Sequence, residues 1–183
     1  MEKRGEIDMK KRLIAYFSRA DENYFQGDLR YVEVGNTEIV AKKLQAITGA
    51  DLLPIRMKSP YSPDYKECVE QARRDFETQA RPELTGLPEN LRDYTVIYLG
   101  YPNYCGTVPM PVLTFLESFD FSGKKIRPFC THEGGGMGTS ETDIMQSGLG
   151  AVLEMGAAIV GSQAEECDEL LRSWVDSFYH HDE

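Results

Sequence analysis

Apolar positions recur along this chain in two alternating rhythms. Short β-rich runs end in loops of small and polar residues. Longer stretches follow, with apolar residues three and four positions apart. The first run, Arg12–Phe17 (RLIAYF), ends at Ser18. The stretch NTEIVAKKLQAITG then sets Val40, Leu44 and Ile47 on one face of a helix closed by Gly49. DLLPI, Asp51–Ile55, reads as a strand whose Pro54 fits only an edge or an end. Ser62 followed by Pro63 has the pattern of an N-cap with proline in the first turn. The helix it opens carries Tyr65, Cys68 or Val69, Ala72 and Phe76.

Tyr94–Gly100 (YTVIYLG) is apolar almost throughout, the pattern of a strand buried on both faces of a parallel sheet. Pro109 and Pro111 open a helix with Val112, Leu113, Leu116 and Phe119. Ile126–Thr131 is the next strand, and Pro128, which lacks a donor, must sit at a bulge or an unpaired position. Ser140 and Asp143 have capping-box spacing and open a helix through Met145, Leu149 and Val152. Ala157–Val160 is a short last strand, and Cys167, Leu170, Leu171, Trp174, Val175 and Phe178 form the apolar face of a last helix. Five β-α units in alternation predict one three-layer α/β domain, a five-stranded parallel sheet of order 2-1-3-4-5 with helices on both faces. The expected domain covers 12–183, behind a flexible segment, 1–11.

Composition narrows the function classes. The chain has 183 residues, 41% hydrophobic and 27% charged, as ordinary globular domains do. No apolar run approaches the ~20 residues that span a bilayer. The charged start MEKRGEIDMKKR has no apolar core of a secretory signal, so a cytoplasmic protein is expected. A net charge of −10 argues against nucleic acid or an anionic membrane as partner. It permits steering toward basic protein surfaces, or simply confers solubility. The cysteines form no C-x-x-C pair and no histidine has ligand spacing, so no metal is expected. Cys68, Cys130 and Cys167 lie in apolar patterns and read as buried free thiols.

Three strand exits carry the candidate chemistry. In the order 2-1-3-4-5, strands 1, 3 and 4 are neighbours, and ligands of open α/β sheets bind beside such a switch point. After strand 1 come Ser18, Arg19 and Ala20, and later VGNTE, which runs into the first helix. Free N–H groups at that helix end, with side-chain donors on Asn36 and Thr37, suit a phosphate. Ser18 can close the cradle, and Arg19 adds charge or is solvated. Equally, Asn36 or Thr37 can be an ordinary N-cap. After strand 3 comes YPNYCGTVP: Pro102 for a rigid turn, Tyr104 as a stacking face, and Asn103, Gly106 and Thr107 as polar or backbone contacts. The alternative is a surface turn with Tyr104 packed on the protein itself. After strand 4, THEGGGMG has glycines at 134, 135, 136 and 138, which let main chain approach a ligand closely or merely make the loop flexible.

These three motifs, in this order over roughly 12–178, resemble the flavodoxin family, in particular a bacterial branch with FSRA-EN…VGNTE, YPN-WWGT-P and THEGSG loops. The resemblance implies a flavodoxin-like fold and flavin mononucleotide (FMN) as cofactor. It implies that Ser18, Arg19, Ala20, Asn36 and Thr37 hold the phosphate. Pro102, Asn103, Tyr104, Cys105 and Gly106 then border the isoalloxazine. Thr131, His132, Glu133, Gly134, Gly135 and Gly136 line its pyrimidine side or the ribityl chain, with His132 able to donate to the N1/O2 edge. The chain departs from the branch at Tyr104-Cys105, where two tryptophans are usual; its Trp174 reads as core.

The phosphate loop is also split by sixteen residues, Arg19 to Val34. Within them ENYFQG, Glu22–Gly27, nearly spells an engineered protease site, but it lacks the leucine between Asn23 and Tyr24 and lies far from a terminus. It is read as native loop. Asp21–Val34 is expected to arch out and cover the ribityl or ring side with Tyr24, Phe25 or Tyr31. Deleting it should weaken FMN binding less than Thr37→Ala.

By the resemblance the protein carries electrons between redox partners with basic docking surfaces. The alternatives are an FMN-dependent NAD(P)H or quinone reductase, or a flavin-free partner-binding domain. No catalytic triad or paired carboxylates are evident, and the flavin would do the electron chemistry.

Overall fold

The computed structural model describes residues 11–179. Most of the expected N-terminal segment therefore lies outside the described residues, and Lys11 already opens the first strand. In chain order the strands are β1 (Lys11–Tyr16), β2 (Asp21–Phe25), β3 (Asp28–Val32), β4 (Asp51–Pro54), β5 (Arg56–Met57), β6 (Leu84–Thr85), β7 (Tyr94–Pro102), β8 (Lys125–His132), β9 (Val152–Leu153) and β10 (Ala157–Val160); β2 with β3 and β5 with β6 form separate antiparallel pairs, and the other six make the central sheet. Its order is β4-β1-β7-β8-β10 and all pairings are parallel. This is the expected 2-1-3-4-5 sheet.

Alternation along the strands builds two cores. Leu13, Ala15 and Phe17 face one side with Ile97, Leu99 and Tyr101. Ile14 and Tyr16 face the other with Val96, Tyr98 and Phe129. Both faces of β7 are thus dry, which is why its sequence shows no polar alternation. Each fully buried aliphatic side chain there contributes roughly 1.5–3 kcal/mol. The helices α3 (Met110–Glu117) and α4 (Ser140–Ser147) cover the first face, and α2 (Tyr65–Glu77) packs on α3. The helices α1 (Asn36–Thr48) and α5 (Asp168–Tyr179) cover the second.

Pro128 explains a break in the sheet edge. Ile126 accepts from the Glu154 N–H, so Ile126 and, by alternation, Pro128 turn toward the fifth strand. Pro128 has no N–H to offer there. The fifth strand accordingly splits: β9 pairs Lys125 and Ile126, β10 resumes at Phe129, and Glu154 to Gly156 step around the proline.

Four sequence expectations need correction. The cap of α2 is Asp64, which accepts from the Glu67 N–H at 2.9 Å, rather than Ser62. Phe76 and Val69 of that helix are largely exposed, and Cys68 and Ala72 carry its buried face. The Ser140–Asp143 capping box does not form, because Tyr101 Oη donates to Ser140 Oγ at 2.8 Å and Asp143 accepts from Thr107 and Thr139. Finally α4 stops at Ser147; Met145 and Leu149 are exposed, and Val152 lies in β9.

Sequence reasoning also missed a buried cation. Arg127, 2% exposed, lies 4.5 Å from the Trp174 ring and donates to the Trp174 carbonyl at 2.7 Å. Trp174 itself is core, as expected.

Candidate functional site

The stretched loop after β1 folds as a β-hairpin, β2 (Asp21–Phe25) and β3 (Asp28–Val32), around a Gln26-Gly27 turn. Both turn residues have positive φ, 46° and 103°, as a two-residue hairpin of this kind requires. Its two feet are pinned together at Gly35. A Cβ there would stand 2.4 Å from both Ser18 Oγ and the Arg19 carbonyl, so only glycine lets the two halves of the loop meet. Ser18 Oγ then accepts from the Glu38 N–H at 3.0 Å and caps α1 from across the gap. The N–H of Ile39 goes to Gly35 O. The N–H groups of Asn36 and Thr37 find no acceptor among the described residues, which leaves two donors at the positive end of the helix.

The loops after β7 and β8 are tied to each other and to α1. Thr37 Oγ1 and Thr131 Oγ1 share a buried hydrogen bond of 2.8 Å. Asn103 donates its N–H to Thr131 O and its amide to Gly136 O, while its Oδ1 accepts from Gly106 N–H. Tyr104 and Thr107 exchange backbone bonds around Cys105 and Gly106, whose φ values of 54° and 77° make a tight turn. Gly138 must be glycine, since its Cβ would lie 1.9 Å from Gly106 O. His132 Nδ1 accepts from Gly134 N–H at 2.9 Å, so the neutral ring carries its proton on Nε2. Glu133 Oε1 accepts from the Ser162 N–H at 2.6 Å.

These pieces enclose a cavity of about 360 Å³. Ser18, Arg19, Asn36, Thr37, Pro102, Asn103, Tyr104, Cys105, Thr131, His132 and Glu133 all line it. Three loops from separate strands thus converge, as their order in the sheet demands. Ala20, Gly106, Gly134, Gly135 and Gly136 are not in its wall. The carbonyl of Ala20 instead accepts from the Asn23 amide, and the three glycines shape the loop behind His132.

Two lining residues have other work. Arg19 donates to the carbonyls of Glu22, Ser62 and Pro63, so its terminal nitrogens pin the hairpin to the loop before α2. Tyr104 packs its ring on Phe17 and Tyr61, 6.2 and 6.4 Å away, the self-packing alternative for this residue. Burial, and then Cys68, holds the Tyr104 hydroxyl protonated far above its ordinary range. The wall also contains Asn23 and Tyr24 of the hairpin, Tyr65, Cys68, Val69, Ala72 and Arg73 of α2, and Gly161. The sequence marked α2 only as a packing helix. Burial raises the Cys68 and Cys105 thiols, opposed by Arg19 and Arg73 respectively.

Among the described residues no group of three or more His, Cys, Asp or Glu could hold a metal ion, and no helix is long and apolar enough to cross a membrane.

Several solved structures share this architecture. A candidate flavoprotein from Bacteroides eggerthii is 27% identical, with a TM-score of 0.73 over 91% of this chain and 96% of its own. One from Bacteroides uniformis is 23% identical, with the same TM-score over 91% and 98%. A flavoprotein from Lactobacillus acidophilus, solved in complex with FMN, is 18% identical, with a TM-score of 0.62 over 86% and 97%. No match was found among curated proteins. A flavodoxin family model matches residues 28–178, from the second strand of the hairpin to the last helix. The chain belongs to the flavodoxin family.

Proposed function

We propose that the protein binds FMN in the cavity and passes electrons between protein partners. The observation that carries the reading is the meeting of unpartnered Asn36 and Thr37 N–H groups with the loops after β7 and β8 around one cavity. The residues fit the group. Two backbone donors at a helix N-terminus suit a phosphate. Gly161 leaves room beside them, since a Cβ there would stand 2.6 Å from Asn36 Nδ2 and 2.9 Å from Glu133 Oε1. The cavity volume lies within the range of small-ligand sites.

In this reading Ser18, Asn36 and Thr37 hold the phosphate, and Thr131 fixes Thr37 in place. Pro102, Tyr104 and Cys105 border the ring, and His132 offers an Nε2 proton to its polar edge. Arg19 positions the loop rather than neutralising the phosphate. The flavin, when bound, supplies the electron chemistry, and the protein sets its access and electrostatics. The net charge of −10 favours partners with basic docking surfaces.

The test is titration of the purified protein with FMN, followed by flavin fluorescence and visible absorption. Stoichiometric quenching is expected, and a colourless protein that takes up no FMN would sink the proposal. Steady consumption of NAD(P)H with a quinone by the loaded protein alone would replace the carrier with a reductase.

A further inference from the structure

Helix α2 borders a second cavity besides the one already described. Gln71, Arg74 and Asp75 line an open groove of about 390 Å³ between α2 and the β5–β6 arm. The two cavities share no lining residue. The groove is built before any ligand arrives. Lys58 N–H donates to Glu83 O at 2.8 Å and extends the β5–β6 pairing. Tyr61 Oη donates to Asp75 Oδ2 and Ser62 N–H to Gln71 Oε1, both at 2.7 Å, which ties the loop after β5 to α2.

Its apolar lining is stiff and flat. Pro60, Pro82 and the half-buried Tyr61 ring supply it, with Met57 beside them. Such surfaces suit a planar aromatic ring. Its charges are unevenly spent. Lys58 is paired with both oxygens of Glu83, at 2.9 and 3.0 Å, and Arg81 Nε with Glu117 at 2.8 Å. Arg74 differs: among the described residues its guanidinium has no hydrogen bond or ion pair. The Ser59 hydroxyl and the Gln71 amide nitrogen likewise have no acceptor there. On a chain of net charge −10, three cations thus stand against two carboxylates in the groove lining, with donors in excess.

We infer that this groove is a second binding site, for a planar aromatic monocarboxylate. The ring packs on Tyr61 and the prolines, and the carboxylate meets Arg74, which can bind it with two parallel N–H bonds. Asp75, already bonded to Tyr61, offers nothing to an anion and opposes a second negative group on the ligand. The inference does not depend on the FMN reading, because it uses none of the residues of the first cavity.

The experiment is an amide-resolved NMR titration of the full chain, without flavin, with cinnamate. Its neutral isostere cinnamamide is the control. Saturable shifts are expected at Lys58, Ser59, Gln71, Arg74 and Glu83, with a Kd of about 1 mM or tighter. Cinnamamide should bind about tenfold more weakly. Arg74→Gln should weaken cinnamate about tenfold, and Glu83→Gln, which frees Lys58, should tighten it severalfold. Opposite responses of two exposed positions cannot both come from misfolding. The inference is overturned if shifts fail to saturate by about 10 mM, or if they centre on Ser18, Thr37, Thr131 or His132. It is equally overturned by an affinity that Arg74→Gln leaves unchanged, that Glu83→Gln fails to raise, or that cinnamamide matches.

Discussion

Thr37 Oγ1 and Thr131 Oγ1 lie 2.8 Å apart, both nearly out of solvent, and join the first turn of α1 to the end of β8 across 94 positions of chain. Thr37→Ala strands the Thr131 hydroxyl in a buried site, at a cost of about 1–3 kcal/mol in urea denaturation. It also frees the turn that presents the Asn36 and Thr37 N–H groups, so FMN affinity should fall by roughly tenfold or more. Thr37→Ser keeps the bond and should keep most of the affinity. Shortening the hairpin should weaken FMN less than Thr37→Ala does; the reverse ranking would move the phosphate away from α1.

Glycine at 138 is fixed by two independent constraints. Its φ is 55°, and a methyl there would overlap Gly106 O. Gly27 has φ 103° but open space around its Cβ position. Gly138→Ala should therefore lower the unfolding free energy from urea denaturation considerably more than Gly27→Ala, by about 2–4 kcal/mol against roughly 1. Equal effects would mean that the two loops do not meet as closely as drawn.

The sheet order and the three loops were legible because β1, β7 and β8 carry dense apolar patterns and end in polar exits. What stayed hidden depends on partners remote in sequence. Arg19 lines the cavity and also pins the hairpin, and two of its acceptors, the carbonyls of Ser62 and Pro63, lie 43 and 44 residues on. Ser140 and Asp143 had the spacing of a cap, yet Tyr101 at the end of β7 and Thr107 of the loop after it claimed them. Tyr65, Val69 and Arg73 line the cavity because α2 borders it, which helix periodicity does not reveal. The hairpin did leave a local signal: Gln26-Gly27 sits between two runs of equal length, and glycine is the residue that such a turn selects. Pro128 was read correctly because a missing N–H has the same consequence in any sheet.

Cys105 is exposed, whereas Cys68, Cys130 and Cys167 are buried. A thiol reagent added to the native protein should therefore label one cysteine rapidly, and all four only after unfolding. Burial also raises the Cys105 thiol, so its labelling, though ahead of the three buried cysteines, should accelerate further as pH rises above neutral. Bound FMN should slow it further, because Cys105 lies in the cavity wall. Mass spectrometry of the labelled peptide tests all three. Rapid native labelling of Cys68 would show that the hairpin and α2 open far more often than their contacts imply.

Burial raises the Cys130 thiol from about 9 to about 12, and this couples stability to alkaline pH. Below pH 9 both the folded and unfolded states hold the proton, so ionisation of this group changes nothing. Between 9 and 12 the unfolded chain loses the proton while the folded one keeps it, and stability falls as pH rises, by up to about 1.4 kcal/mol per pH unit from this residue. Tyr94, raised to about 12 first by its bond to Asp51, adds a slope of the same sign. Cys130→Ala removes one titrating thiol at the cost of a small cavity. Its urea stability should be lower than wild type at pH 8, and the two should converge as pH rises toward 11. Parallel curves across that window would mean that the thiol at Cys130 ionises equally well in the folded protein.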